Sequence, residues 1–199
     1  MRIPCLQQAG ICTTKNNKFK QMKRIISSSL FFILCSFLFV SCKYSKKPEV
    51  FSDKNVSIEY PSYLFTTDDV YPGKNTLLQL KNDYRDVYFI LVDHGMKPGN
   101  QGFELMCDSV IGQLRRNLKE PNVEAQDTMF MTANQLKVKE FQISGILSSE
   151  KQDHRFQFVI DVFEAPNGHI YQTAGWLLRH KRDLWLKDLQ KSAYSLKVK

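Results

Sequence analysis

The first part of this sequence lacks negative charge. None of the 20 acidic residues lies before residue 25, whereas six of the 28 lysines and arginines do. A basic start of this kind is typical of a targeting segment, whose positive residues stay on the cytoplasmic side of a membrane. From Cys42 onward the remaining 22 basic residues face all 20 acidic ones, which leaves a net charge of +2. This balance argues against a basic surface for DNA or RNA, so we expect no nucleic-acid partner.

From residue 42 onward the chain has only two cysteines, Cys42 and Cys107. Three of the five cysteines, Cys5, Cys12 and Cys35, fall in the segment that we expect to be removed. If Cys42 carries a lipid, Cys107 has no partner within the chain. The domain is therefore expected to depend on its hydrophobic core and to form no internal disulfide.

Signatures of common chemistries are also missing. The sequence contains no glycine-rich phosphate loop, Ser/His/Asp signature, pair of catalytic carboxylates or zinc-ligand spacing. We therefore predict no cofactor and no metal, and favour a non-enzymatic role. Catalysis stays open as an alternative, because an active site assembled from distant residues would leave no such motif.

The longest apolar run, residues 25–40, is too short for a transmembrane helix, which needs about 20 apolar residues. It follows the basic residues 22–24 and ends at Phe39-Val40-Ser41-Cys42. This ending resembles the lipobox that the lipoprotein signal peptidase recognises, although the usual pattern has Leu where Phe39 stands. We predict cleavage before Cys42 and lipidation of its thiol. The alternative is an uncleaved N-terminal anchor.

These features divide the chain into three parts. Residues 1–41 are a signal peptide with an N-terminal extension, and translation is expected to start at Met22. Residues 42–53 are the lipidated cysteine and a polar tether, and residues 54–199 are the globular domain. Acyl chains on Cys42 would anchor the domain to the membrane of the cell envelope. Lys43 replaces the aspartate that marks inner-membrane retention in enterobacteria, which favours the outer membrane, facing the periplasm.

The domain mixes strand and helix patterns, so the predicted fold class is α+β. Helical spacing of apolar residues predicts helices over residues 103–118 and 183–192, and residues 94–102 form a glycine-rich loop. Alternating or continuous apolar runs predict strands over residues 56–60, 76–81, 86–93, 129–131, 136–147, 155–164 and 170–178, with a short strand or packed tail at 195–198.

The turn at residues 165–169 determines the register of the last hairpin. Its Pro-Asn-Gly sequence suits a three-residue loop that pairs Ala165 with His169. A slip of one residue would put the apolar set on opposite faces. The expected cross-strand pairs are therefore Phe156 with Leu178, Phe158 with Trp176, and Ile160 with Ala174.

The order of these elements resembles the PsbP-like fold family, which includes the DcrB-like lipoproteins of bacteria. Four segments carry the resemblance: Ile58-Glu59-Tyr60-Pro61, the helix at 103–118, Gly168-His169-Ile170-Tyr171, and Ala193-Tyr194-Ser195-Leu196-Lys197. It covers about residues 54–199 and implies an antiparallel sheet flanked by helices, an α-β-α sandwich. The family is known mostly for binding and assembly roles. No catalytic or metal-binding residue carries over from it.

Two candidates for chemistry stand out. Cys107 lacks an identifiable base, so a buried structural thiol is favoured over a nucleophile. In the predicted register His154 and His180 face each other at the open end of the hairpin, near Asp153 and Asp183. A metal there would need further ligands, so solvated histidines are favoured.

Two basic segments of the domain have expected positions. Lys137 and Lys139 are expected on the solvated face of a strand. The cluster at residues 179–182 is expected to be a solvated helix N-terminus, and the alternative is a contact with an acidic partner or lipid head groups.

The preferred hypothesis is a lipid-tethered, non-enzymatic domain that binds or assembles an envelope protein. The alternative is a small envelope hydrolase or metal-dependent enzyme, with a site near His154, His180 and the 94–102 loop.

Overall fold

A computed structural model describes residues 47–96, 100–148 and 153–199. The elements, in chain order, are β1 (Glu49–Ser52), β2 (Val56–Tyr60), β3 (Phe65–Thr66), β4 (Thr76–Asn82), β5 (Val87–Met96), α1 (Asn100–Asn117), β6 (Lys119–Met131), β7 (Lys137–Ser148), β8 (Asp153–Glu164), β9 (His169–Leu178), a 3-10 turn (Arg179–Lys181), α2 (Arg182–Tyr194) and β10 (Lys197–Val198). The fold is α+β, as predicted. Neither helix of the described segments is both long and apolar enough to cross a membrane.

The strands form two antiparallel sheets. The larger sheet has seven strands in the order β3-β4-β5-β9-β8-β7-β6, and the smaller has three in the order β1-β2-β10. Most neighbouring strands of the larger sheet are consecutive in the sequence and form hairpins. The exception is β5, which pairs with β9. The long segment that contains α1, β6, β7 and β8 lies between these two strands in the sequence.

The β8–β9 hairpin has the predicted register. Phe156, Phe158 and Ile160 pair with Leu178, Trp176 and Ala174, respectively. At the turn, the amide of Gly168 donates to the carbonyl of Ala165 at 2.8 Å. Gly168 has φ +80°, a conformation that residues with a Cβ adopt only under strain.

The central strands are covered on both faces. Val162 packs with Phe103 and Cys107 of α1, whereas the next residue, Phe163, belongs to the core that contains Leu189 of α2. Successive side chains of a strand point to opposite faces, so α1 and α2 cover opposite faces of the large sheet. This explains why β8 reads as a nearly continuous apolar run.

Regular structure extends beyond the prediction in two places. Glu49–Ser52, within the predicted tether, pairs with β2 as β1, so folded structure begins before residue 54. β5 continues to Met96, where residues 94–102 were expected to form a loop. It can do so because a bulge between Asp93 and Gly95, with Gly95 at φ +73°, keeps Met96 paired with His169.

The largest difference from the prediction is β6. Residues 119–131 form one strand, whereas only 129–131 were expected to do so, and α1 ends at Asn117. β6 is an edge strand, and its register shifts between Lys119 and Asn122. An edge strand tolerates Pro121 because one side of its backbone needs no hydrogen-bond partner in the sheet.

Candidate functional site

Cys42 and the rest of residues 1–46 lie outside the described residues. The lipidation site, the signal peptide and the start at Met22 therefore stay predictions from the sequence.

The structure does not bring His154 and His180 together as a cross-strand pair. The β8–β9 ladder ends at Phe156 and Leu178, and the chain then turns into a 3-10 helix that contains His180. His154 instead pairs with Leu147 of β7, and its ring contacts Phe156 with 6.4 Å between the centroids. The prediction that His154 and His180 face each other was wrong because the backbone after β9 leaves the ladder at Arg179. The hydrolase or metal-enzyme alternative loses the geometry on which it rested.

The basic cluster before α2 binds acidic side chains of its own domain. Arg179 and Arg182 both form ion pairs with Glu124 of β6, the second at 3.5 Å. Lys181 binds Asp86 at 2.5 Å. The expectation of a simply solvated helix N-terminus was therefore wrong, because β6 and the β4–β5 turn supply carboxylates to this segment.

Lys137 and Lys139 are not on a solvated face. The Lys139 side chain is 10% exposed and its Nζ lies 2.7 Å from Glu104 of α1. Lys137 pairs with Glu164 at 3.3 Å, and its Nζ lies 4.3 Å from the ring centroid of Phe103. The prediction was wrong because α1 covers this face of β7.

Cys107 is fully buried, as predicted. Burial raises the pKa of its thiol to about 12, which leaves almost no thiolate at neutral pH. The Cys107 side chain packs with Phe103, Phe141, Val162 and Ile170, so its surroundings are those of a core residue.

A half-open groove of about 440 Å³ lies beside α2, on the opposite face of the sheet from α1. One wall is the N-terminal and central part of α2, and β7 contributes Gln142. The lining residues are Gln142, Arg182, Asp183, Leu186, Lys187 and Gln190. The lining combines two amides, both signs of charge and one apolar side chain, so it is mostly polar.

Glu140 organises the polar groups next to this groove. Gln142 donates to its carboxylate at 2.7 Å, Gln190 donates at 3.0 Å, and the Tyr194 hydroxyl donates as well. Burial and this contact with Glu140 raise the pKa of Tyr194 far above its ordinary value. The side-chain amides of Gln142 and Gln190, which line the groove, are therefore both held by the buried carboxylate of Glu140.

Sequence reasoning missed this cluster. Its signals were a glutamate in the middle of a long strand and an aspartate, Asp161, inside the apolar run Phe158–Phe163. An unpaired acid in such a run usually has a buried partner. Which strands were neighbours, and hence which partner, could not be known before the sheet order.

The fold is PsbP-like. The chain is similar to the cyanobacterial PsbP protein CyanoP of Synechocystis sp. PCC 6803, with a TM-score of 0.58 and 9% identity over 80% of this chain and 98% of that one. It is also similar to LpqN of Mycobacterium tuberculosis, a protein involved in cell envelope biogenesis, with a TM-score of 0.51 and 8% identity. The LpqN match covers 78% of this chain and 87% of that one. No protein-family model and no curated protein matches the sequence.

Proposed function

We propose that this protein is a membrane-tethered lipoprotein with a non-enzymatic binding or assembly role in the cell envelope. The observation that carries the proposal is the order of two features along the chain. A basic and apolar targeting segment ends at Ser41-Cys42, and a PsbP-like domain begins within ten residues of it, at Glu49. The LpqN likeness supports an envelope role, because that protein with a similar fold takes part in envelope biogenesis.

In this proposal the Cys42 thiol carries a diacylglycerol and the freed amine carries a third chain. Each buried methylene contributes about 0.8 kcal/mol, so several chains hold a domain firmly to a bilayer. Lys43 after the cysteine favours the outer membrane, with the domain facing the periplasm.

Binding is assigned to the groove beside α2. Its walls carry hydrogen-bonding side chains at fixed positions, because Gln142 and Gln190 are tied to Glu140 and Arg182 is tied to Glu124 and Gln142. Preorganised side chains lower the entropy cost of binding. The occupant in this proposal is a polar segment of an envelope protein.

The tether is tested with Cys42→Ser. The wild-type protein, expressed in cells from the full sequence, should incorporate labelled palmitate. The Cys42→Ser variant should carry no label and should accumulate as unprocessed precursor. The matched control is Cys35→Ser, which changes a cysteine of the same segment and should leave labelling intact. Normal maturation and membrane partition of Cys42→Ser would show that the lipoprotein assignment is wrong.

The groove is tested by crosslinking in living cells. A photoreactive amino acid in place of Lys187, which lines the groove, should crosslink one defined envelope protein. The control is the same replacement at exposed Lys74, beside β4, four strands and about 19 Å from β7. Equal crosslinking from both positions would contradict a groove-specific partner, as would no crosslink from position 187.

A further inference from the structure

Asp161 is a carboxyl group with almost nothing to stabilise its charge. It lies on β8, paired with Glu140 on one side and Thr173 on the other, and is 0% exposed. Oδ2 accepts a hydrogen bond from the Thr173 hydroxyl at 3.2 Å, whereas no donor reaches Oδ1 in the part of the chain that the structure describes. An ionised carboxylate in this position would be desolvated and would have one weak donor.

Its neighbour Glu140 has the opposite surroundings. Three side chains donate to the Glu140 carboxylate, namely Gln142, Gln190 and Tyr194. Hydrogen bonds to a carboxylate favour its ionised form. The two carboxyls are therefore distinguished by their donors, with Glu140 suited to carry the negative charge and Asp161 suited to stay neutral.

A neutral Asp161 also removes the charge repulsion between the two acidic side chains. Two ionised carboxylates side by side in a buried site repel each other strongly, whereas a protonated one donates a hydrogen bond to the other. Burial and the adjacent Glu140 both raise the pKa of Asp161 well above its ordinary range. The Oδ1 atom that lacks a donor is then the natural site of the proton.

We propose that Asp161 and Glu140 share one proton at neutral pH, carried by Asp161, and that this proton is part of what holds the groove-lining amides and the end of α2 in place. Four elements supply groups beside the pair: Gln142 of β7, Thr173 of β9, Gln190 and Tyr194 of α2, and Thr128 of β6, which is the cross-strand partner of Glu140. Arg182 joins this network by donating to the Gln142 amide oxygen at 3.2 Å.

The direct test is infrared spectroscopy of the purified full-length protein labelled with carboxyl-¹³C aspartate. At neutral pH the wild type should show the carbonyl stretch of a protonated carboxylic acid, shifted by the label. Asp161→Asn should lose this band. Asp188→Asn should keep it, since Asp188 is an aspartate that accepts from the Tyr63 hydroxyl at 3.0 Å elsewhere on α2. Absence of the band in the wild type overturns the proposal, and this measurement needs no variant to fold.

The second test concerns the link to α2. Glu140→Ala removes the acceptor of Gln190 and Tyr194, so amide hydrogen exchange in the last turn of α2 should accelerate at least about 10-fold at fixed pH. Asp161→Asn should leave exchange there close to wild type, because the side-chain amide that it introduces donates to Glu140 in place of the acid proton. Fast exchange in both variants would mean that a neutral donor at position 161 does not support the helix, and would overturn the proposal. Unchanged exchange in Glu140→Ala would overturn it as well.

Discussion

Asp161 and Glu140 show how two acidic side chains acquire different hydrogen-bonding surroundings from their contacts. Both are acids on neighbouring strands, and both are buried. Among the described residues, Glu140 receives donors from β7 and α2, whereas Asp161 receives only the Thr173 hydroxyl. Burial and the adjacent Glu140 raise the pKa of Asp161, and the single donor from Thr173 does little to offset them.

The raised pKa of Asp161 predicts how stability depends on pH. Because the folded-state pKa lies above the unfolded value of about 3.9, the native state holds a proton that the unfolded state releases. The associated stability is fully present below the unfolded pKa and is lost as pH rises towards the folded pKa, by up to about 1.4 kcal/mol per pH unit. Asp161→Asn should flatten this slope, as measured by urea unfolding between about pH 5 and about pH 8. A variant with the same slope as the wild type would contradict the assignment to Asp161.

At the scale of elements, the β8–β9 hairpin joins an aromatic row on the α1 face. Trp176 lies between Tyr88 of β5 and Phe158 of β8, with ring centroids 5.5 and 6.4 Å away, and Phe156 continues the row. Phe158 is 6% exposed, whereas Trp176 is only half-buried. With Tyr88, the Phe158–Trp176 pair therefore ties three strands together, but Phe158 and Trp176 do not contribute equally.

Phe158→Ala should destabilise the domain by about 3–5 kcal/mol, as expected for a large-to-small change in a core. Trp176→Ala should cost less, because part of its ring stays in water. The double variant should depart from additivity by about 0.5–3 kcal/mol, since the two rings touch. Urea denaturation of the four proteins measures the cycle. Strict additivity would contradict a direct contact between these side chains.

Local signals predicted some elements well and others poorly. The hairpin register was predictable because the Pro-Asn-Gly turn and the parity of the apolar residues independently require the same pairing. β6 was not predictable because an edge strand with several register shifts has no consistent alternation. The burial of Lys139 depended on which face α1 covers, and the pairing of Asp161 with Glu140 depended on strand order. Both are tertiary facts that no local window contains.

For the whole molecule, the sequence makes a prediction about where the protein begins. Residues 1–21 precede the basic residues 22–24 and carry no apolar pattern. A version that starts at Met22 should be exported and processed as efficiently as the full sequence, because the basic and apolar regions of the predicted signal peptide both lie after residue 21. Pulse labelling followed by separation of precursor and mature forms measures this. Loss of export on removal of residues 1–21 would show that the segment is functional.

The small sheet has a geometric consequence for labelling the protein. Ser52 of β1 and Lys197 of β10 both pair with Ser57, on opposite sides of β2, and the Lys199 ammonium contacts the Ser52 hydroxyl at 2.7 Å. Strands are spaced about 4.8 Å apart, so the two outer strands run within about 10 Å of each other. A fluorophore joined after Lys199 would therefore sit beside the C-terminal end of β1, at Ser52. Energy transfer from that dye to a labelled lipid would test the proposed membrane tether, with no probe in the groove.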